Sequence, residues 1–170
     1  MKIPSPLHRP ARSAARLKTL SAGLIAALAA AAGPALAAPA GCTGPQSDTW
    51  IDVAVEGVEN SNGLIAITLY ADNPRKFLVK HGSLYVGRVP AHAGTTTGCI
   101  HVPAPGVYAI AIYHDENASQ TFDRTGIGLP AEGYGFTNNP STLAGLPTFR
   151  SVRLAIPRSG LVTRIRIKYP

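Results

Sequence analysis

From residue 49 onward the apolar positions recur with a period of two. In Thr49–Gly57, Ile51, Val53 and Val55 share one face and Asp52 and Glu56 the other, as a half-buried strand requires. Gly63–Tyr70 places Ile65, Ile67 and Leu69 on one face. Leu64, Ala66 and Tyr70 leave its opposite face apolar as well, which predicts a central strand covered on both sides. Asn62-Gly63 just before it is a turn signal. Gly94–Val102 reads as a strand with Ile100 and Val102 inward and Cys99 on the alternate face, ended by Pro103-Ala104-Pro105-Gly106. Val107–Tyr113 is apolar on both faces and is expected to be buried. Arg150–Pro157 sets Val152, Leu154 and Ile156 on one side. In Leu161–Tyr169, Leu161, Ile165, Ile167 and Tyr169 face one way, and Arg164, Arg166 and Lys168 the other. Ser159-Gly160 is read as a tight turn between these last two strands.

Six or seven short strands joined by Gly/Pro turns predict an all-β fold, a single antiparallel β-sandwich of the immunoglobulin or transthyretin-like kind over residues 49–170. Its expected core is Ile51, Val53, Ile65, Ile67, Leu69, Ile110, Ile112, Leu154, Ile165 and Ile167. Helical spacing is confined to the short stretch Pro74–Val79. Two long stretches, Ala71–Ala93 and His114–Phe149, show no clear element, and loops of that length are usually functional or locally packed. No repeat with a period of 20–50 residues is visible.

The charge changes its meaning once position is considered. Of the 16 basic residues, five (Lys2, Arg9, Arg12, Arg16, Lys18) precede residue 19, which leaves 11 against 9 acidic residues, a net of +2. A nucleic-acid partner is therefore not expected. A basic start, an apolar run at Leu20–Ala32, a Gly33-Pro34 break and small residues at Ala35 and Ala37 form the layout of a secretory signal peptide. The run of 13 residues falls short of the roughly 20 that span a bilayer. We expect cleavage near Ala37, with Ala40 as a second position, and a periplasmic or secreted mature chain without a transmembrane segment. A lipoprotein anchored at Cys42 is disfavoured by Pro39, which stands where such signals carry Leu. Residues 38–48 are then a flexible tail. Export would place Cys42 and Cys99 in an oxidising compartment, where a lone pair of thiols forms a disulfide.

Two blocks stand out: Pro105-Gly106-Val107-Tyr108-Ala109 leading to His114-Asp115-Glu116-Asn117, and Glu132-Gly133-Tyr134-Gly135-Phe136. In this order they resemble the bacterial exported-protein family catalogued as domain of unknown function 2141, over roughly Trp50 to Tyr169. The resemblance implies identity and no particular activity. The family commonly carries D-x-N-x-N-G-x-x-D, a loop like a calcium-binding turn. Here Asp115, Asn117, Ser119 and Asp123 stand at positions 1, 3, 5 and 9, but Gln120 replaces the glycine at position 6 and Gly126 the Glu at position 12. We expect calcium binding to be weak or absent, and no other cofactor. A more distant resemblance, through Pro105-x-x-Tyr108 opening a strand, is to transthyretin-like and carboxypeptidase-regulatory sandwiches.

His114, Asp115, Glu116, Asn117 and Glu132 form the polar cluster with catalytic potential. His114 would act as base or metal ligand, oriented by Asp115 or Glu132. The competing reading, which we favour, is that Asp115 and Asn117 shape the loop and His114 bonds to backbone. No G-x-S-x-G, H-E-x-x-H or activated Cys is present. Gly126-Ile127-Gly128-Leu129-Pro130-Ala131 has dinucleotide-fingerprint spacing but no βαβ context. Arg164, Arg166 and Lys168 would either meet an anionic surface of the cell envelope or guard a strand edge, the reading we prefer. The sequence thus leaves a binding or structural module ahead of an envelope hydrolase or metal protein.

Overall fold

A computed structural model describes residues 37–141 and 146–170; the expected signal peptide, apart from Ala37, lies outside the described residues. The described chain is all-β except for one helical turn. Its elements are β1 (Thr49–Val58), β2 (Leu64–Ala71), β3 (Tyr85–Pro90), β4 (Gly94–Val102), β5 (Gly106–Asp115), β6 (Tyr134–Phe136), α1 (Phe149–Val152), β7 (Arg153–Ile156) and β8 (Leu161–Arg166). They form two sheets. The smaller has the order β4-β1-β8; the larger has β3-β2-β5-β6, with β7 also on β5. Because β6 pairs with Ala111–Tyr113 and β7 with Gly106–Ala109, the two short strands share one edge of β5 end to end.

The alternation seen along the chain becomes one core. Ile51, Val53, Ile65, Ile67, Leu69, Ile110, Ile112, Ile165 and Ile167 are buried in a single cluster fed by both sheets, with Leu154 half-buried against it. As the two-sided apolarity of their sequences required, β2 and β5 are interior strands.

Several expectations need correction. The fold is not purely antiparallel, since β8 runs parallel to β1, with Ile51 beside Leu161 and Val55 beside Ile165. The turn at Ser159-Gly160 accordingly joins no hairpin. Gly160 N donates to Trp50 O and Ser159 Oγ to Asp48 O, which delivers the chain to the start of β1 in the smaller sheet, while β7 belongs to the larger. The stretch Ala71–Ala93 contains β3, whose Gly87, Arg88 and Pro90 dilute the strand signal. The stretch His114–Phe149 contains β6, three residues long and too short to show a period. Pro74–Val79 folds as successive turns, and Arg150–Val152 as part of α1.

The segment ahead of β1, expected to be flexible, is bonded to the sheet. Cys42 and Cys99 form a disulfide with their Cα atoms 4.4 Å apart. Thr43 N donates to Cys99 O (2.9 Å) and His101 N to Thr43 O (2.9 Å), so Thr43 extends the outer edge of β4. Tyr85 Oη donates to His101 O, and Ser47 Oγ to Val102 O at 2.6 Å.

Candidate functional site

The two sequence blocks meet as paired strands. Tyr113 lies opposite Tyr134, Ile112 opposite Gly135 and Ala111 opposite Phe136. The ladder continues through His114 N to Gly133 O and Thr137 N to Ile110 O. The glycines in Gly133-Tyr134-Gly135 answer to their neighbours in space. A Cβ on Gly135 would stand 2.8 Å from Arg166 O, and one on Gly133 would run into the Tyr169 ring. Glycine is what lets the C-terminal strand close onto β6, where Tyr134 and Lys168 exchange backbone hydrogen bonds of 2.9 Å.

His114 follows Ile110 and Ile112 on the core face and is fully buried. Its Nε2 lies 2.8 Å from Asn62 O, and a carbonyl only accepts, so Nε2 carries the proton. Nδ1 is then the acceptor for Tyr169 Oη at 2.7 Å. Tyr169 Oη in turn accepts from Glu59 N. Neither Asp115 nor Glu132 is a hydrogen-bond partner of His114; both serve the loop that follows.

That loop is knotted by its own donors. Asp115, also fully buried, accepts from Ser119 N through Oδ1 and from Gln120 N through Oδ2, both at 2.8 Å. Asn117 Oδ1 accepts from Ser119 N, and its Nδ2 donates to Asp123 Oδ2. Asp123 Oδ1 accepts from Thr121 Oγ1. Gln120 takes φ +62°, the left-handed conformation that the missing glycine would adopt more easily. The side-chain oxygens of Asp115, Asn117 and Asp123 are thus bonded to amides and hydroxyls of the loop. Among the described residues no three His, Cys, Asp or Glu side chains converge as a metal-ligand set. Glu116 Oε2 accepts from Asn60 Nδ2.

Glu132 is 5% exposed. Its Oε2 accepts from Asp123 N at 3.0 Å, while Oε1 has no partner among the described residues. Burial is the main reason its carboxyl is pushed above the ordinary carboxylate range; the nearby charges of Asp123, Asp115 and Glu116 push the same way.

The opposite face of the larger sheet carries what the sequence did not single out. Tyr70, Phe77, Ala109, Phe136 and Val152 make a second buried cluster there, built by the two long loops folding over the sheet. The Phe77 ring meets Tyr70 edge-on at 5.2 Å and Phe149 at 5.5 Å. Beside this cluster opens a cavity of about 680 Å³. Thr68 and Ala111 supply short side chains; Tyr70, Tyr113, Phe122 and Tyr134 supply rings. Lys80 and Arg124, both exposed, line it as well. Neither His114 nor Glu132 lines it. The signal that pointed to it was the apolar second face of β2 and β5, which a solvated sheet face would not carry. The contributing loop residues have no periodic signature.

Residues 53–163 match the family described as uncharacterized protein conserved in bacteria, domain of unknown function 2141, and the chain belongs to it. No curated protein and no solved structure matches the chain.

Proposed function

We propose that the mature chain is an exported, non-enzymatic binding module, a β-sandwich of the immunoglobulin or transthyretin-like kind released from its signal peptide near Ala37 into the periplasm or beyond. The observation that carries this reading is the state of His114. Both ring nitrogens are bonded, the ring is fully buried, and the large cavity lies on the other face of β5. A general base must reach its substrate directly or through one water; this one faces the core. Asp115 and Asn117 act as loop fasteners, and calcium is bound weakly or not at all, because Gln120 at φ +62° stands where a calcium loop carries glycine and Gly126 where it carries the bidentate Glu. Arg164 and Arg166 are exposed on β8, which ends the smaller sheet, and Lys168 is exposed just past it; their charges guard that edge against pairing with other chains.

The test is a thermal-shift panel on the mature protein, covering calcium, neutral sugars, apolar amines and apolar acids, run beside chromogenic ester and phosphate substrates. A ligand of the folded state raises the melting temperature by mass action. We expect one ligand class to do so, no response to millimolar calcium and no turnover. Turnover abolished by His114→Gln would overturn this reading in favour of an envelope hydrolase. Intact mass of the protein from the periplasmic fraction should show a chain beginning at Ala38.

A further inference from the structure

The cavity over the outer face of the larger sheet combines an apolar body with cationic groups. At about 680 Å³ it lies inside the range of small-molecule sites, about 300–1,000 Å³. Ala111 lines it with a short side chain, between Tyr113 and the buried Ala109 on the same face of β5. Tyr113, Phe122 and Tyr134 meet edge to face in succession, at 5.5 and 6.1 Å, so each ring is held by the next and a ligand would not have to order them. Among the described residues no Asp or Glu lines the cavity, whereas Lys80 and Arg124 do. Among the described residues neither cation forms an ion pair; the two present pair Arg153 with Asp72 and Arg164 with Glu56. Arg124 is nonetheless positioned, donating to Gly128 O at 2.9 Å with its guanidinium 5.1 Å from the centre of the Phe122 ring. Two uncompensated cations beside an aromatic hollow are matched by one kind of guest.

We propose that this cavity binds a small apolar molecule carrying a single anionic headgroup, its body against the rings and its carboxylate or sulfonate on Lys80 and Arg124. This rests on the reading of the chain as a binding module and names the class of ligand. Charge-assisted hydrogen bonds to the headgroup supply orientation and preference; the rings and Ala111 supply the apolar contact.

The experiment is a fluorescence titration of the mature protein with 1-anilinonaphthalene-8-sulfonate and, in parallel, with the uncharged N-phenyl-1-naphthylamine. The sulfonate should bind one to one and be displaced by 4-phenylbutyrate far better than by 4-phenylbutanol. The double variant Lys80→Gln, Arg124→Gln, both positions exposed, should weaken the sulfonate at least about tenfold and leave the naphthylamine nearly unchanged. Ala111→Leu should remove both, and Phe122→Ala should weaken both, with circular dichroism and melting temperature confirming the fold of whichever variant is used. Sulfonate binding indifferent to the double variant, non-saturable, or insensitive to both Ala111→Leu and Phe122→Ala would overturn the proposal. A neutral ligand that is lost in Ala111→Leu while no anion binds would overturn it and leave the module reading standing; no thermal shift from either class would sink both.

Discussion

Glu132 and Tyr169 hold their polar atoms in opposite conditions, one short of a partner and one fully engaged. Glu132 is held where its negative charge is poorly solvated and faces Asp123, Asp115 and Glu116. Because its carboxyl is raised, the folded protein holds that proton more tightly than the unfolded chain. The associated stability is present at pH below the ordinary carboxylate value of 4.5 and is lost as pH rises through the raised folded value. Glu132→Gln should therefore raise the melting temperature at pH 7–8 and flatten its decline above about pH 4.5. A melting temperature lowered at pH 8 would show that the charged carboxylate is needed at Asp123 N. Tyr169 poses the opposite case. Its hydroxyl is the donor to Nδ1 of His114, so Tyr169→Phe leaves a buried acceptor bare and should cost about 1–3 kcal/mol in urea unfolding. A loss below about 0.5 kcal/mol, the norm for surface changes, would mean that water replaces the hydroxyl and that the ring is less enclosed than its position implies.

At the scale of elements, the decisive contact is β6 against β8. The three residues of β6 have no stability of their own; they are held by β5 on one side and, through the Tyr134–Lys168 pair of backbone hydrogen bonds just past β8, by the C-terminal segment on the other. Gly135→Ala would press a methyl group against Arg166 O, a backbone atom that cannot swing aside, and against Ile165 Cγ2 at 2.9 Å. We expect about 1–3 kcal/mol of destabilisation, the range for overpacking. Gly126→Ala is the control, because its Cβ would meet nothing within 4 Å, and it should stay within about 0.5 kcal/mol. Equal effects at the two positions, measured by denaturant unfolding, would remove the steric account of the Gly-Tyr-Gly motif.

For the whole molecule, the Cys42–Cys99 bond spans 57 residues and closes the N-terminal segment, β1, β2 and β3 into one loop. Loop-closure entropy puts its contribution at about 4 kcal/mol. Cys42→Ser should lower the denaturation midpoint by a corresponding amount and free the Thr43 pairing on β4, read as faster amide exchange at His101. An unchanged midpoint would mean that hydrogen bonding alone holds that segment, with the crosslink adding no further restraint.

What the linear chain determined is whatever has a local cause. A period of two is a property of one strand, so the core faces of β1, β2, β4, β5 and β8 were readable from their own residues, as were the interior places of β2 and β5, and the two cysteines. The motif blocks showed which chemistry was present and, through Gln120, where the loop departs from a calcium turn. Tertiary structure alone decided three things. It set β8 parallel to β1, because strand partnership depends on where a turn delivers the chain, and both partners present the same alternation in either direction. It made strands of Tyr85–Pro90 and Tyr134–Phe136, whose composition is too diluted or too short to signal one and whose order comes from β2, β5 and β8. And it placed Lys80 and Arg124 by the same hollow as Tyr70 and Ala111, from loops with no periodicity, because a cavity is bounded by residues distant in the chain whose proximity exists only after the core has closed.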